Sequence, residues 1–201
     1  GKKWKVLALD SLFNENELKI FLTKENVDNL DKYKKDKTNE KGDNIGIING
    51  IVDNKPLFIH RTFAEYFTAV FLFDNLMKDD EKSLEITEFF LENMINKEHF
   101  MICQFVNSMF NDENSKKKDN HVNLIRKLSK DKLYIALKNK WQRIAIWLIE
   151  NEVNLGYTSD EENEKNLLHF VYSQQENIKM ANHLIKNLFI KLKTENKLMY
   201  F

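Results

Sequence analysis

The sequence predicts a mainly α-helical chain with one β-hairpin in its N-terminal part, followed by a stacked helical repeat region. Three observations carry that expectation. Apolar residues recur at three- and four-residue steps over most of the chain, one window at residues 45–59 switches to β-branched runs around a turn pair, and near-repeats lie 35 and 36 positions apart in the C-terminal part. One Pro and five Gly in 201 residues leave little material for the tight turns of a β-sandwich.

The first helix is expected over Trp4–Phe13, with Trp4, Leu7, Ala8 and Leu12 on one side, and the second over Glu15–Leu22. Asn14 and Asn16 stand at the break, where a short amide side chain caps or turns the backbone. From Lys24 to Asp43 the pattern thins, with Val27, Leu30 and Tyr33 at intervals of three, which reads as a short helix followed by a solvated loop. Ile45–Val52 and Lys55–Ile59 are apolar, β-branched runs separated by the turn-forming pair Asp53-Asn54, a hairpin signal. Pro56 lacks the amide a ladder needs, so its strand belongs at an edge or begins there.

The strongest helix signal follows: Phe63, Tyr66, Phe67, Val70, Phe71, Asp74 and Met77 fall at three- and four-residue steps. Thr62 and Glu65 have the capping-box spacing, which places the helix start at Thr62. Lys78–Lys82 breaks it, and further helices are expected over Leu84–Ile95 and His99–Phe110. Asn111–Asn120 carries no apolar residue and includes Lys116, Lys117 and Lys118, the pattern of a linker. The expected organisation is therefore 1–62 with its hairpin at 45–59, a helical part 63–110, a linker 111–120 and helical repeats 121–201. In the last part Leu133–Ala136 aligns with Leu168–Val171, and Leu148–Asn151 with Leu184–Asn187, each unit reading as helix, turn, helix.

Charge and motif content narrow the function. Lys plus Arg and Asp plus Glu each number 31, so a zero net charge gives no bulk attraction to a polyanion. The difference between residues 1–110, with 15 basic and 19 acidic groups, and residues 111–201, with 16 and 12, is too small to alter that. A single cysteine, Cys103, excludes an internal disulfide framework and a Cys-cluster zinc site, which favours a reducing, cytoplasmic setting. No apolar run reaches the roughly 18 residues of a spanning helix, and no apolar leader follows the opening lysines, so no membrane association is expected. The phosphate-binding G-x-x-x-x-G-K-[ST] loop, the G-x-S-x-G elbow and H-E-x-x-H are all missing from the sequence. His99 and Cys103, four apart on a helix, share a face on which both would reach a metal, but further ligands are not nearby in sequence and a buried thiol beside a rim histidine is the simpler reading. His121, His169 and His183 read as surface or capping groups, and no metal or catalytic residue is assigned.

The segment Phe58-Ile59-His60-Arg61-Thr62-Phe63-Ala64-Glu65-Tyr66-Phe67 resembles the F-[IL]-H-x-[TS]-F-x-E-[FY]-[FLV] motif of NACHT-type signalling NTPases, the group that includes the NOD-like receptors, where a winged-helix domain passes into a helical domain. The likeness covers residues 4–78 and implies that hairpin 46–59 is the wing and helices 4–33 the winged-helix body. The family's motif histidine faces the phosphates of bound ADP, a role the resemblance carries to His60; a helix N-terminus beside it would add positive potential. The domain that holds the nucleotide is not in this sequence, so ADP or ATP is expected only in a longer parent protein and no cofactor is assigned to this chain. Residues 131–190 resemble degenerate ankyrin repeats, keeping Leu168 and His169 of one unit and Leu133 and Ala136 of another, with Glu152 where a turn glycine is expected.

Two functions compete, and a third, an enzyme with an unrecognised active site, has no residue pattern in its favour. In the first the chain is a non-enzymatic regulatory and protein-interaction segment of a NACHT and ankyrin-type innate-immune or signalling sensor, with Trp141 as a surface anchor for a partner and Trp147 in the core. The alternative is a winged-helix nucleic-acid-binding module using Lys32, Lys34, Lys35, Lys37 and Lys41. It is disfavoured by the interleaved Asp31, Asp36, Glu40 and Asp43.

Overall fold

In a computed structural model, which describes residues 2–39, 46–96, 98–110, 119–128 and 130–151, helix α1 spans Lys2–Leu12 and α2 spans Glu15–Phe21. Asn14 separates them. Its Oδ1 accepts hydrogen bonds from the backbone amides of Asn16 at 2.9 Å and Glu17 at 3.1 Å, and Glu17 Oε2 accepts from the Asn14 amide at 2.9 Å. This reciprocal capping box satisfies donors that the first turn of a helix leaves open. Helix α3 runs over Lys24–Asn39 and is longer than the short helix expected there. The added turns have an anchor that apolar periodicity does not reveal: the buried Lys34 ammonium pairs with the buried Asp10 carboxylate of α1 at 2.8 Å.

Strand β1 (Ile48–Val52) pairs antiparallel with β2 (Lys55–Phe58), and the described residues hold no other strand. Asp53 at φ 50° and Asn54 at φ 60° are both left-handed, the requirement of a two-residue turn that matches strand twist. Ile48 faces Phe58 while Gly50 faces Leu57, so Asn49 is one residue too many and forms a bulge. The hairpin turn is tied down by lysines: Lys34 Nζ donates to the Asn54 carbonyl at 2.5 Å, and Lys55 Nζ to the Phe13 carbonyl at 2.8 Å. Pro56 and Phe58 point inward, and Phe58 joins Leu7, Ala8 and Ala64 in a small apolar cluster against which Trp4, Ile47, Ile48 and Phe67 pack.

Helix α4 (Arg61–Leu76) begins one residue before the expected start. The cap residue is His60, whose side chain makes no capping bond, and Glu65 is engaged instead by Arg61 Nε at 3.0 Å. An arginine one turn ahead competes for the carboxylate that a capping box would use. The buried side of α4 is Ala64, Thr68, Ala69, Leu72, Asn75 and Leu76, small at its start, which lets α1 and α6 approach closely from either side. The expected aromatic stripe is therefore rotated: Phe67, Val70 and Phe71 are half-buried, and Phe63 and Tyr66 lie at the surface.

Helix α5 (Glu81–Phe89) is capped by Asp80, whose side chain accepts from the Ser83 amide at 2.7 Å. It continues into a widened π turn at Phe90–Met94, closed by the Ile95 amide on the Phe90 carbonyl at 3.2 Å. Cys103 Sγ, from helix α6 (Phe100–Met109), donates to the Met94 carbonyl at 3.2 Å. Helices α7 (Asp119–Leu128), α8 (Lys130–Lys138) and α9 (Gln142–Glu150) complete the described chain, nine helices in all among these residues.

Trp141 is not the surface anchor expected of it; it is fully buried, with its ring 5.4 Å from that of Phe100. The cause is the end of α8. Lys140 sits at φ 60°, its amide donates to the Leu137 carbonyl at 3.0 Å, and the Trp141 amide donates to the Ala136 carbonyl at 2.8 Å. This paired closure turns the chain sharply and directs the following apolar residue back onto the helix. Trp147 is also buried, against Phe90 and Phe110. One apolar cluster includes Val6, Leu72, Phe90, Val106, Ile125 and Leu148, so residues from all three expected parts share it. Of the expected linker, residues 111–118 lie outside the described residues and Asp119 and Asn120 already belong to α7; the second repeat unit, with His169 and His183, also lies outside them.

Candidate functional site

Four exposed apolar side chains gather where the hairpin enters α4. Strand alternation turns Leu57 outward while Pro56 and Phe58 face in, Ile59 is exposed just past the strand, and helical spacing puts Phe63 and Tyr66 three apart on the outer side of α4. Their exposures of 46%, 49%, 40% and 43% are large for side chains of this size so close in sequence. His60 stands among them, exposed, with its ring 6.1 Å from that of Phe63, and Arg61 is exposed beside it.

This surface rests on a rigid support. Phe67 stacks on Trp4 at 6.2 Å with 19° between ring planes, and Tyr66 meets the edge of Phe105 at 5.5 Å. Beneath the strand, Phe58 is buried in the cluster shared with α1 and α4. The outer side chains are thus held by backbone whose inner neighbours are packed, which lowers the ordering entropy a partner would have to offset.

The other expected groups fall elsewhere. Lys34 is removed from the nucleic-acid reading because its ammonium is spent on Asp10 and on the Asn54 carbonyl. Cys103 is buried, and burial pushes its thiol well above the ordinary cysteine value, which makes it a poor nucleophile or metal ligand. His99 is half-buried beside Phe13, with ring centroids 5.8 Å apart, and burial lowers its pKa against the opposing effect of Glu98 and Glu17. No group of three or more His, Cys, Asp or Glu arranged to hold a metal occurs among the described residues. Nor is any helix among them long and apolar enough to cross a membrane.

One polar cluster was not legible in the sequence. His121, expected at the surface, is buried, with Nε2 3.0 Å from Ser83 Oγ and Nδ1 3.7 Å from Asp79 Oδ1. The order serine, histidine, aspartate is that of a hydrolytic triad, but Ser83 is fully buried and its hydroxyl lies 2.7 Å from the Asp80 carbonyl, to which it donates. That makes it a structural hydroxyl. Local spacing does not reveal it, because His121 lies 38 residues beyond Ser83. Compared with known proteins, the chain matches no family model, no curated protein and no solved structure.

Proposed function

We propose that this chain is a non-enzymatic regulatory and protein-interaction segment of a NACHT and ankyrin-type cytoplasmic signalling protein, and that the hairpin to α4 junction is where a nucleotide-binding domain docks. The observation that carries this reading is the exposed set Leu57, Ile59, Phe63 and Tyr66 around an exposed His60, on backbone pinned from below by Phe58 and Phe67. A rigid apolar surface with a central imidazole suits docking of a protein that itself carries phosphate. The aromatic rings supply desolvated contact area, and His60 supplies a donor for a phosphate oxygen once that protein is in place. The α8–α9 pair is read as the first ankyrin-like unit, contributing packing and no chemistry.

The test is association with an ADP-loaded NACHT-type nucleotide-binding domain supplied as a separate chain. The triple variant Leu57→Ser, Ile59→Ser, Phe63→Ser is expected to lose at least tenfold in affinity while keeping its melting temperature, because these exposed side chains carry little folding energy. Unchanged association in that variant, or ATP hydrolysis by the chain alone, would refute the reading.

A further inference from the structure

Asn49 and Gly50 form the one Asn-Gly step in the sequence, and the fold places it at the bulge of β1. Ile48 faces Phe58 and Gly50 faces Leu57, so Asn49 is the residue left without a partner in the ladder. It is also exposed. The side-chain amide carbon of an asparagine and the backbone nitrogen of the next residue are one bond short of a five-membered ring, so the two react within one molecule and need no collision. A side chain on that next residue crowds the nitrogen, and glycine puts none there. The surroundings add no crowding of their own, since no heavy atom lies within 4 Å of the place a β-carbon of residue 50 would take.

We infer that Asn49 is a self-modification site, at which the folded chain loses a side-chain amide to the Gly50 nitrogen and gains an isoaspartate or aspartate. The Gly50 amide gives up its proton and its nitrogen attacks Asn49 Cγ, forming a C–N bond. The bond from Cγ to the side-chain nitrogen breaks, and ammonia leaves with that proton. Water then opens the cyclic imide at one of its two carbonyls. Opening at the original main-chain carbonyl leaves isoaspartate, with the backbone routed through Cγ; opening at Cγ leaves aspartate. Water is the only other reactant. Asn54 sits exposed in the same hairpin but lacks these conditions, because Lys55 follows it and its own carbonyl is held by Lys34. Isoaspartate lengthens the main chain by one carbon, and at the bulge that carbon enters the place in the ladder that has no pairing to lose. Either product carries a carboxylate, ionised at neutral pH, on the strand that faces the exposed Leu57. The chemistry stands whether or not a protein docks at that surface.

The experiment incubates the folded full chain at pH 8 and 37 °C and follows each asparagine by tandem mass spectrometry of its peptides. Isoaspartate is identified by methyl transfer from S-adenosylmethionine with an isoaspartyl-specific methyltransferase. Asn49 is expected to convert at least about tenfold faster than Asn54, and Gly50→Ala to slow conversion at Asn49 by at least about tenfold. The open space at residue 50 lets that variant keep the parent melting temperature. In Asn49→Gln, where ring closure would need one more atom, the methyl-accepting product is expected to disappear. Conversion at Asn49 no faster than at Asn54 in the parent chain, an unchanged rate in a folded Gly50→Ala, or undiminished methyl acceptance in Asn49→Gln overturns the inference.

Discussion

Lys34 closes on Asp10 at 2.8 Å inside the protein, the two side chains being 8% and 7% exposed, and the same ammonium holds the carbonyl of Asn54 in the hairpin turn. One cation thus ties α1, α3 and the hairpin together, and sets the position of the strand that carries Leu57. An ion pair out of water costs much of what its attraction returns, so its worth shows mainly when one partner is removed. Asp10→Ala should destabilise the chain by about 3–5 kcal/mol, because the Lys34 charge is left buried without a counter-ion. The double variant Asp10→Leu, Lys34→Met should recover a large part of that loss. Urea denaturation at pH 7 measures both; an Asp10→Ala loss below about 1 kcal/mol would mean that water reaches the pair.

Lys140 holds a left-handed conformation at φ 60° with an ordinary side chain, at the position where helix ends favour glycine. Lys140→Gly is expected to raise stability by about 1 kcal/mol, since it removes the steric cost of the left-handed region. A thermal melt with no increase would show that the turn at Trp141 is not built as described.

Asn107 of α6 acts as a cap for another helix. Its Oδ1 accepts from the amides of Arg143 at 2.9 Å and Ile144 at 3.1 Å, while Arg143 Nη1 donates back to the carbonyls of Ser108 at 3.1 Å and Phe110 at 2.6 Å. Asn107→Ala should cost about 1–2 kcal/mol, and Asn107→Asp, which keeps the acceptor, should cost much less. Equal losses in the two variants on urea denaturation would contradict the capping role.

The contrast between what was legible and what was not follows interaction range. The helical class, the hairpin, its Asp53-Asn54 turn and the Asn14 break are local in origin, encoded in spacing and in residues with special backbone habits, and all appear in the described residues. Tertiary pairing was invisible to that reading. Spacing alone gave no hint that Lys34 would find Asp10, that His121 would find Ser83, or that Asn107 would cap a helix beginning 35 residues later. Two local readings also failed to a competitor. Arg61 took the carboxylate of Glu65 from the expected cap at Thr62, and a closure without glycine drew Trp141 inward. At the candidate site the sequence located His60 and its aromatic neighbours but not which of them face outward. That depended on the small residues Ala64, Thr68 and Ala69 setting the buried side of α4.

His99 makes the stability of the fold depend on pH. Burial lowers its pKa from the usual 6.5, so between the folded and unfolded values the unfolded chain binds more protons. Its contribution is complete above pH 6.5 and is lost on acidification below that value. In His99→Gln the drop in urea midpoint between pH 7 and pH 5 should shrink relative to the parent chain. An unchanged drop would mean that the ring is solvated in the folded state.

The central claim, a docking surface that transforms no substrate and meets phosphate only through a partner, is tested most directly by calorimetric titration of the full chain with ADP. The account predicts no saturable heat up to millimolar ADP, and identical traces for the parent chain and His60→Ala. Micromolar binding by the parent chain that disappears in His60→Ala would contradict it.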